Sequence, residues 1–212
     1  MKTHAQSILG AILILIASVH AQAQSTGEVK TIFHAGPSGG YGAISNKFTS
    51  VYGNFANMPE VYGGWFINKK FLIGIGGGAT TNYIPVALAE SVAPTKRMSY
   101  LYGQAGLVNE FVLASNSPIH PVIHWFNGAG FSLQYERPEW NDLESANYSQ
   151  EAEDLHWFYI TEPGIQLELN LFKWMRLSPG FSYRVAFDNT TRSVNKDVSG
   201  PSASITLKFG KF

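Results

Sequence analysis

The sequence predicts an all-β fold, an eight-stranded antiparallel up-and-down transmembrane β-barrel. Three observations predict it. Apolar and polar residues alternate with a period of two in long segments, these segments number eight, and short connections alternate with longer ones. The composition agrees, because 14% of the residues are charged, whereas the surface of a soluble protein carries about 25 to 35% charged residues.

The N-terminus is predicted to be a secretory signal peptide, residues 1–23, followed by a single barrel domain, residues 24–212. A basic start precedes an apolar run from Ile8 to Val19, and small residues follow at Ala21 and Ala23. This order is typical of a signal peptide. The run is shorter than the about 20 residues of a transmembrane helix. The chain has no cysteine, so we expect no disulfide framework.

The strands are clearest in the C-terminal half of the chain. In the segments Leu155–Leu171 and Met175–Asp188, every second residue belongs to a face that carries no charge. The last segment follows the same rule, with Ile205, Leu207 and Phe209 on its apolar face. Period-two alternation is the signal of a half-buried strand.

Five further segments complete the predicted barrel, with less regular alternation. Most of the eight are longer than the about 5–6 residues of an ordinary strand. The five segments are Tyr41–Phe55, Val61–Asn68, Phe71–Asn82, Met98–Val112 and Ile119–Glu136.

The connections at one end of the predicted barrel are short, and those at the other end are longer. The short ones cover 68–70, 114–118 and 172–174; the longer ones cover 53–60, 83–97, 137–154 and 189–200. Short periplasmic turns and longer extracellular loops are typical of transmembrane β-barrels. Both termini are therefore predicted to lie on the periplasmic side.

Alternation alone does not say which face points outward, because a soluble lipocalin-like barrel lines its ligand cavity with the apolar face. Three features favour an outward apolar face. The polar face is built largely from Gly, Ser, Ala and Thr, and it carries charges of both signs. Aromatic residues such as Tyr100, Trp157 and Trp174 lie near predicted strand ends, as in the girdles at membrane interfaces.

Charged residues on the polar faces of two neighbouring strands define a candidate network in the lumen. Its members are Glu162, Glu168, Arg176 and Arg184. An unpaired buried charge costs several kcal/mol, so we expect Glu168 to pair with Arg176 or Arg184. Two interpretations remain open, a static ion-pair network that fills the lumen and a gated or narrow polar path. Residues that could join either version are Lys47, Glu110 and Lys208.

These features together resemble the small outer-membrane β-barrel proteins of Gram-negative bacteria, of the OmpA and OmpX type. In those families a C-terminal aromatic residue, with alternate hydrophobic residues before it, is the insertion signal read by the barrel assembly machinery. The resemblance implies this role for Ile205, Leu207, Phe209 and Phe212. Phe212 departs from the pattern, because it is out of phase with Phe209. The resemblance also implies an outer-membrane location, in contact with outer-membrane lipid.

No cofactor, metal or nucleic-acid site is predicted. Removing Lys2 with the signal peptide leaves 14 basic against 15 acidic residues, so there is no basic excess to bind nucleic acid. The glycines of Gly74–Gly78 lack the following helix and lysine of a phosphate-binding loop. On a strand, His120 and His124 lie about 13 Å apart, too far apart for this pair alone to hold a metal.

The chain is not predicted to be an enzyme. None of the six histidines is followed two positions later by serine, the pair that marks the lipid A deacylase family. A palmitoyltransferase-like site would instead need His, Asp and Ser side chains gathered at the extracellular rim. The number of serines leaves that arrangement open.

The segment 136–154 is predicted to be a solvated extracellular loop that could contact a partner. It holds seven acidic residues against one arginine. The predicted function is structural or interactive, exercised through the extracellular loops above a packed lumen. A narrow pore for small solutes and a soluble lipocalin-like ligand-binding barrel are the alternatives.

Overall fold

The structure, a computed structural model, describes residues 38–137, 152–188 and 194–212. Within these ranges the chain forms eight β-strands and one short helix, α1 (Val194–Val198). The strands are β1 (Gly39–Val51), β2 (Asn54–Ile67), β3 (Phe71–Ala79), β4 (Met98–Val112), β5 (Ile119–Glu136), β6 (Ala152–Phe172), β7 (Met175–Phe187) and β8 (Gly200–Lys211).

The strands form one closed antiparallel barrel with up-and-down connectivity, as predicted. Each strand pairs with its neighbours in the chain, and β8 pairs with β1 to close the sheet. In this closing pair Ile44 lies opposite Leu207. No helix among the described residues is long and apolar enough to cross a membrane.

The apolar face of the barrel points outward, and the polar face lines the lumen. Ile165, Leu167 and Phe181 expose 65%, 51% and 56% of their surface on the outside. Arg184, on the other face of β7, has no exposed surface at all. Successive side chains of a strand point to opposite faces. The period-two pattern of the sequence therefore places apolar side chains on the outside of the barrel and polar side chains in the lumen.

The predicted bounds of β4 and β5 agree with the structure, whereas those of β1 and β2 are wrong. The first strand ends at Val51 and the second begins at Asn54, so that only Tyr52 and Gly53 connect them. Both residues have positive φ, 50° and 70°. Two positive φ values in a two-residue connection are typical of a type I′ hairpin turn.

Pro59 lies in the segment 53–60, which was predicted to be a connection. In the structure it belongs to β2 and lies opposite Asn46 of β1. The ladder between β2 and β3 ends at Glu60, so residues before it project beyond β3. The main-chain N–H of Asn57, two residues before Pro59, points away from β1 and donates to Asn82 Oδ1 at 2.7 Å. The nitrogen of Pro59 points the same way, so its missing N–H removes no bond of the sheet.

The connections define two ends of the barrel. The turn end holds both the start of β1 and the end of β8, and it has the connections 68–70, 113–118 and 173–174. The loop end has the two-residue turn 52–53 and the longer connections 80–97, 137–151 and 188–199. The predicted asymmetry is thus present, with the first hairpin as an exception.

Buried apolar side chains fill the lumen toward both ends. At the loop end they include Val51, Ile84, Ala186 and Val198, and at the turn end Phe66, Leu72, Val112 and Val122. Glycine on the inner wall makes room for large side chains. A Cβ at Gly130 would lie 2.3 Å from Ile160 Cδ1, and Ile160 is fully buried. The middle of the lumen is left to polar and charged groups.

Candidate functional site

Charged side chains of both signs meet in the middle of the lumen. Among the residues that the structure describes, four carboxylates and four basic groups lie there. They are Glu60, Glu110, Glu162 and Glu168 with Lys47, Arg176, Arg184 and Lys208. Each sits on a strand position whose neighbours in sequence point outward. Equal numbers of opposite charges allow the lumen to be filled without a net charge.

The first group of contacts, the turn-end cluster, is built around Lys208 of β8. Its Nζ lies 2.7 Å from Glu110 of β4 and 2.8 Å from Glu168 of β6. Glu168 also pairs with Arg176 of β7. Lys208 and Glu110 have no exposed side-chain surface. One ammonium group therefore joins two carboxylates from different strands across the lumen.

The oxygens of Glu110 are further satisfied by three neighbouring side chains. Tyr62 Oη donates at 2.8 Å, His124 Nδ1 lies at 2.9 Å, and Tyr41 Oη donates as well. A buried carboxylate persists as an ion only when such bonds replace its hydration. Glu110 thus has a full set of partners and no exposed face from which to react.

Glu168 is held in a similar way by a histidine and a serine. His120 Nε2 lies 3.0 Å from Glu168 Oε1, and Ser178 Oγ donates to Oε2 at 3.3 Å. His120 Nδ1 faces the carbonyl oxygen of Ser117 at 2.9 Å. The ring of His120 therefore lies between a main-chain carbonyl oxygen and a carboxylate oxygen.

The second group of contacts, the loop-end cluster, is built around Lys47 of β1. Its Nζ lies 2.9 Å from both Glu60 and Glu162. Gln104 Nε2 donates to Glu60 Oε1 at 2.8 Å, and Ser182 Oγ donates to Glu162 Oε1 at 2.5 Å. One lysine again bridges two glutamates, here from β2 and β6.

Arg184 lies closer to the loop end and fixes main-chain groups there. It donates to the carbonyl oxygens of Val198, at the end of α1, and of Ser50, the latter at 2.8 Å. Its guanidinium carbon lies 4.6 Å from the centroid of the Tyr102 ring. Since both bonds go to segments at the loop end, Arg184 holds α1 against the mouth of the barrel.

The clusters leave little free space in the middle of the lumen. Two cavities of about 10 Å³ adjoin Lys47, Glu60, Tyr62 and His124. A cavity of this size is about what one water molecule needs. No group of three or more His, Asp or Glu side chains in the described ranges is placed to hold a metal ion. The arrangement suits a packed polar interior.

All four residues of the predicted network lie in the lumen, but they fall into different groups. Glu168 and Arg176 pair in the turn-end cluster, Glu162 belongs to the loop-end cluster, and Arg184 bonds to main-chain oxygens. The prediction left open whether Arg176 or Arg184 pairs with Glu168; the contact is with Arg176. Glu60 was missed, because the sequence was taken to form a loop there.

The C-terminal residues divide between the two faces of the barrel. Ile205 and Leu207 are exposed on the outside, 54% and 38%, and the Phe209 ring stacks on Trp174 with centroids 6.2 Å apart. Phe212 instead turns into the mouth at the turn end. Its ring centroid lies 5.0 Å from that of Tyr41.

The predicted aromatic girdle is correct in part. Trp157 and Trp174 are exposed on the outer face, 61% and 57%. Tyr100, which was also assigned to the girdle, is buried and stacks on Tyr52 with centroids 3.8 Å apart. This assignment is wrong because Tyr100 takes the inward phase of β4, whose alternation reads almost equally well in either phase.

Serine, histidine and aspartate residues lie near one another at the loop end. His156 Nε2 lies 2.8 Å from Asp154 Oδ1, and Ser132 is the cross-strand partner of His156. Ser132 is 1% exposed, however, and its hydroxyl lies 2.9 Å from Tyr52 Oη. Burial raises the pKa of the Tyr52 hydroxyl, which keeps it protonated. Ser132 is thus engaged beneath the mouth, where an incoming substrate would have to displace Tyr52.

Two predicted features lie wholly or mostly outside the described residues. The signal peptide, residues 1–23, is one, and most of the acidic segment 136–154 is the other.

Comparison with known proteins gives a fold but no family. No protein-family model matches the chain, and no curated protein matches it. Among solved structures, Neisserial surface protein A aligns with a TM-score of 0.52 and 13% identity, over 85% of this chain and 100% of that chain.

Two further structures are similar at lower scores. Ail of Yersinia pestis, in complex with the heparin analogue sucrose octasulfate, has a TM-score of 0.48 and 10% identity, over 82% of this chain and 97% of that chain. A major outer membrane protein of Thermus thermophilus has a TM-score of 0.49 and 11% identity, over 81% and 99%. The chain has the fold of the small eight-stranded outer-membrane β-barrel proteins, as the sequence predicted.

Proposed function

We propose that this chain is an outer-membrane β-barrel protein with a closed lumen, and that it acts structurally or through its extracellular loops. Its loop end would face the exterior, and its turn end the periplasm. A signal peptide, residues 1–23, would direct it across the inner membrane. The barrel assembly machinery would then insert it, reading the C-terminal segment that includes Phe209 and Phe212.

The outer surface supports placement in a bilayer. Large apolar side chains such as Ile44, Trp65, Ile75 and Ile165 expose 58% to 71% of their surface. Soluble monomers rarely expose a contiguous apolar patch of more than a few hundred Å², whereas a membrane barrel needs an apolar band around its whole circumference. The charged residues that the structure describes, by contrast, lie in the lumen or at the two ends.

The single observation that carries the closed lumen is the pair of bridging lysines. Lys47 and Lys208 each join two glutamates from different strands, and the cavities beside them have room for about one water each. An eight-stranded barrel has an interior just wide enough for side chains to fill. A solute could pass only if several buried ion pairs separated together.

Interaction with a partner would then fall to the loop end. The acidic segment 136–154, with Trp140 and Tyr148, is the candidate contact surface. A static lumen below it would act as a rigid support for the loops. No role for nucleic acid is proposed, and no cofactor or catalytic activity.

Membrane fractionation with heat-modifiable gel mobility tests the location. We expect the protein in the outer-membrane fraction, migrating as a compact species until it is boiled. Recovery in the soluble fraction after cell breakage would favour the lipocalin-like alternative instead.

Conductance in planar bilayers tests the closed lumen against the narrow-pore alternative. We expect no conductance from the wild-type protein above the lipid background. Lys196→Ala, an exposed change on α1, is the control. A pore through the loop-end cluster would be favoured if wild type and this control conduct but Glu162→Ala or Arg184→Ala does not.

A further inference from the structure

An open cavity of about 650 Å³ lies at the turn end of the barrel. It is bounded by the β2–β3 turn on one side and the β6–β7 turn on the other, with Phe212 between them. Its basic lining residues are Lys69, Lys173 and Arg176. This cavity is more than large enough for a small polar headgroup, unlike the two cavities in the middle of the lumen.

Two of the three basic side chains that line this cavity are not in an ion pair with another described side chain. Arg176 is paired with Glu168, but Lys69 and Lys173 are exposed and form no side-chain ion pair within the described part of the chain. No Asp or Glu side chain lines the cavity. Apart from the terminal carboxylate of Phe212, an anionic group entering it would meet only positive and neutral groups.

The rest of the turn end has the same sign of charge. Its described residues 67–71, 113–118, 172–175 and 210–212 contain the four lysines Lys69, Lys70, Lys173 and Lys211 and no Asp or Glu. The acidic residues outside the lumen whose side chains the structure describes lie at the other end; they are Glu90, Glu136, Asp154, Asp188 and Asp197. Basic groups beside a membrane surface attract anionic lipids, and each Lys or Arg raises the affinity about fivefold.

The cavity also has features that suit a lipid better than a free anion. Leu171 and Phe172 line it and are 44% and 57% exposed, so an acyl chain could lie against them. Trp174 stacks on Phe172 with centroids 5.6 Å apart, as in an interfacial aromatic girdle.

We propose that this cavity binds the headgroup of an anionic phospholipid of the phosphatidylglycerol type. Lys69 and Lys173 contact the phosphate, and an acyl chain follows Leu171 and Phe172. The site rests on the proposed function, because it requires the turn end to lie at a bilayer surface. It gives the barrel a preference for the lipid of one leaflet.

The test compares two double variants of equal charge. Lys69→Gln/Lys173→Gln removes the lysines of the cavity, whereas Lys70→Gln/Lys211→Gln removes two lysines from the same end that do not line it. Each protein is folded into nanodiscs of phosphatidylcholine with phosphatidylglycerol. Native mass spectrometry then measures the lipid that stays bound to the released barrel.

We expect the wild type and the Lys70/Lys211 variant to retain phosphatidylglycerol in preference to phosphatidylcholine. Affinity in the Lys69/Lys173 variant should fall about 25-fold, given about fivefold for each of the two lysines. An equal loss in both variants would mean a diffuse surface charge and would overturn the site. Displacement of the lipid by inorganic phosphate at moderate concentration would mean a free-anion site and would overturn the lipid assignment.

Failure of this inference is distinguishable from failure of the proposed function. If the barrel enters bilayers and has heat-modifiable mobility but retains both lipids equally, only the lipid site is wrong. If the barrel does not enter these bilayers at all, the proposed location is wrong as well.

Discussion

Lys208 and Glu168 are 40 residues apart in the chain and lie on strands that do not pair, yet their side chains meet inside the barrel at 2.8 Å. Both strands pair with β7, which lies between them, so this contact spans the inner face of β7. It also makes the lysine essential to two carboxylates at once, because Glu110 lies 2.7 Å from the same Nζ.

Replacing Lys208 should therefore destabilise the barrel strongly. Lys208→Met leaves Glu110 and Glu168 without their shared cation, and removal of one partner of a buried ion pair costs about 3–5 kcal/mol. Urea unfolding in lipid vesicles, followed by tryptophan fluorescence, measures the loss. Lys211→Met, an exposed change on the same strand, should have little effect. Equal stability of the two variants would contradict the bridging role.

A double-mutant cycle can separate the two arginines that the sequence offered as partners of Glu168. Glu168→Leu should destabilise the barrel by itself. Its effect should be coupled to Arg176→Leu by about 0.5–3 kcal/mol, the range for residues in direct contact. With Arg184→Leu the coupling should be close to zero, because Arg184 bonds to Ser50 and Val198 at the loop end. Comparable coupling to both arginines would contradict the separation into groups.

The sequence predicted the two faces correctly in β6, β7 and β8, where the alternation is regular and local, but it placed Tyr100 of β4 on the wrong face. It also predicted the bounds of β4 and β5 from the same local pattern. It failed at the first hairpin, since Pro59 and the residues around it look like a turn when the position of the strand edge is unknown. The sequence around Pro59 does not show that its nitrogen faces away from β1, which is the reason that a proline is tolerated in this strand.

The partners of the lumen charges could not be predicted from alternation. Which side chains meet across the barrel depends on the stagger of the strands around it, and this quantity is a property of the whole sheet. Lys47 and Lys208 were recognised as residues that could join a network, but their bridging positions follow only from the registers of all eight strands. His120 and His124 were judged only as a metal pair; each instead contacts a glutamate.

Adding a methyl group to the inner wall should destabilise the barrel where strands approach closely. A Cβ at Gly128 would lie 2.2 Å from the Ala105 carbonyl oxygen and 2.6 Å from Gly106 Cα, and main-chain atoms cannot rotate away. Gly128→Ala should thus lower the free energy of unfolding by about 1–3 kcal/mol, as overpacking does. Gly200→Ala is the matched control, because a Cβ there meets nothing within 4 Å. The same unfolding midpoint for both variants would contradict this reasoning.

The serine, histidine and aspartate at the loop end should not catalyse acyl transfer or hydrolysis. Ser132 is 1% exposed and bonded to Tyr52, so its hydroxyl is not presented to a lipid. We expect identical lipid A mass spectra from cells that produce wild type, Ser132→Ala or no protein at all. A lipid A species that appears with wild type and disappears with Ser132→Ala would contradict the assignment as a non-enzyme.

Phe212 should act in two separable ways, one in the folded barrel and one during assembly. In the folded state the Arg176 guanidinium carbon lies 3.8 Å from the centroid of its ring, and the ring packs on Tyr41. Phe212→Ala should therefore lower the stability of purified, refolded protein by about 1 kcal/mol. In cells we expect a much larger loss of outer-membrane protein, because the assembly machinery would lack its terminal aromatic residue. Phe212→Trp restores an aromatic ring and should recover the cellular level. If Phe212→Ala reaches the outer membrane in normal amounts, the terminal ring serves only to pack the mouth, and the assembly signal must reside in Ile205, Leu207 and Phe209.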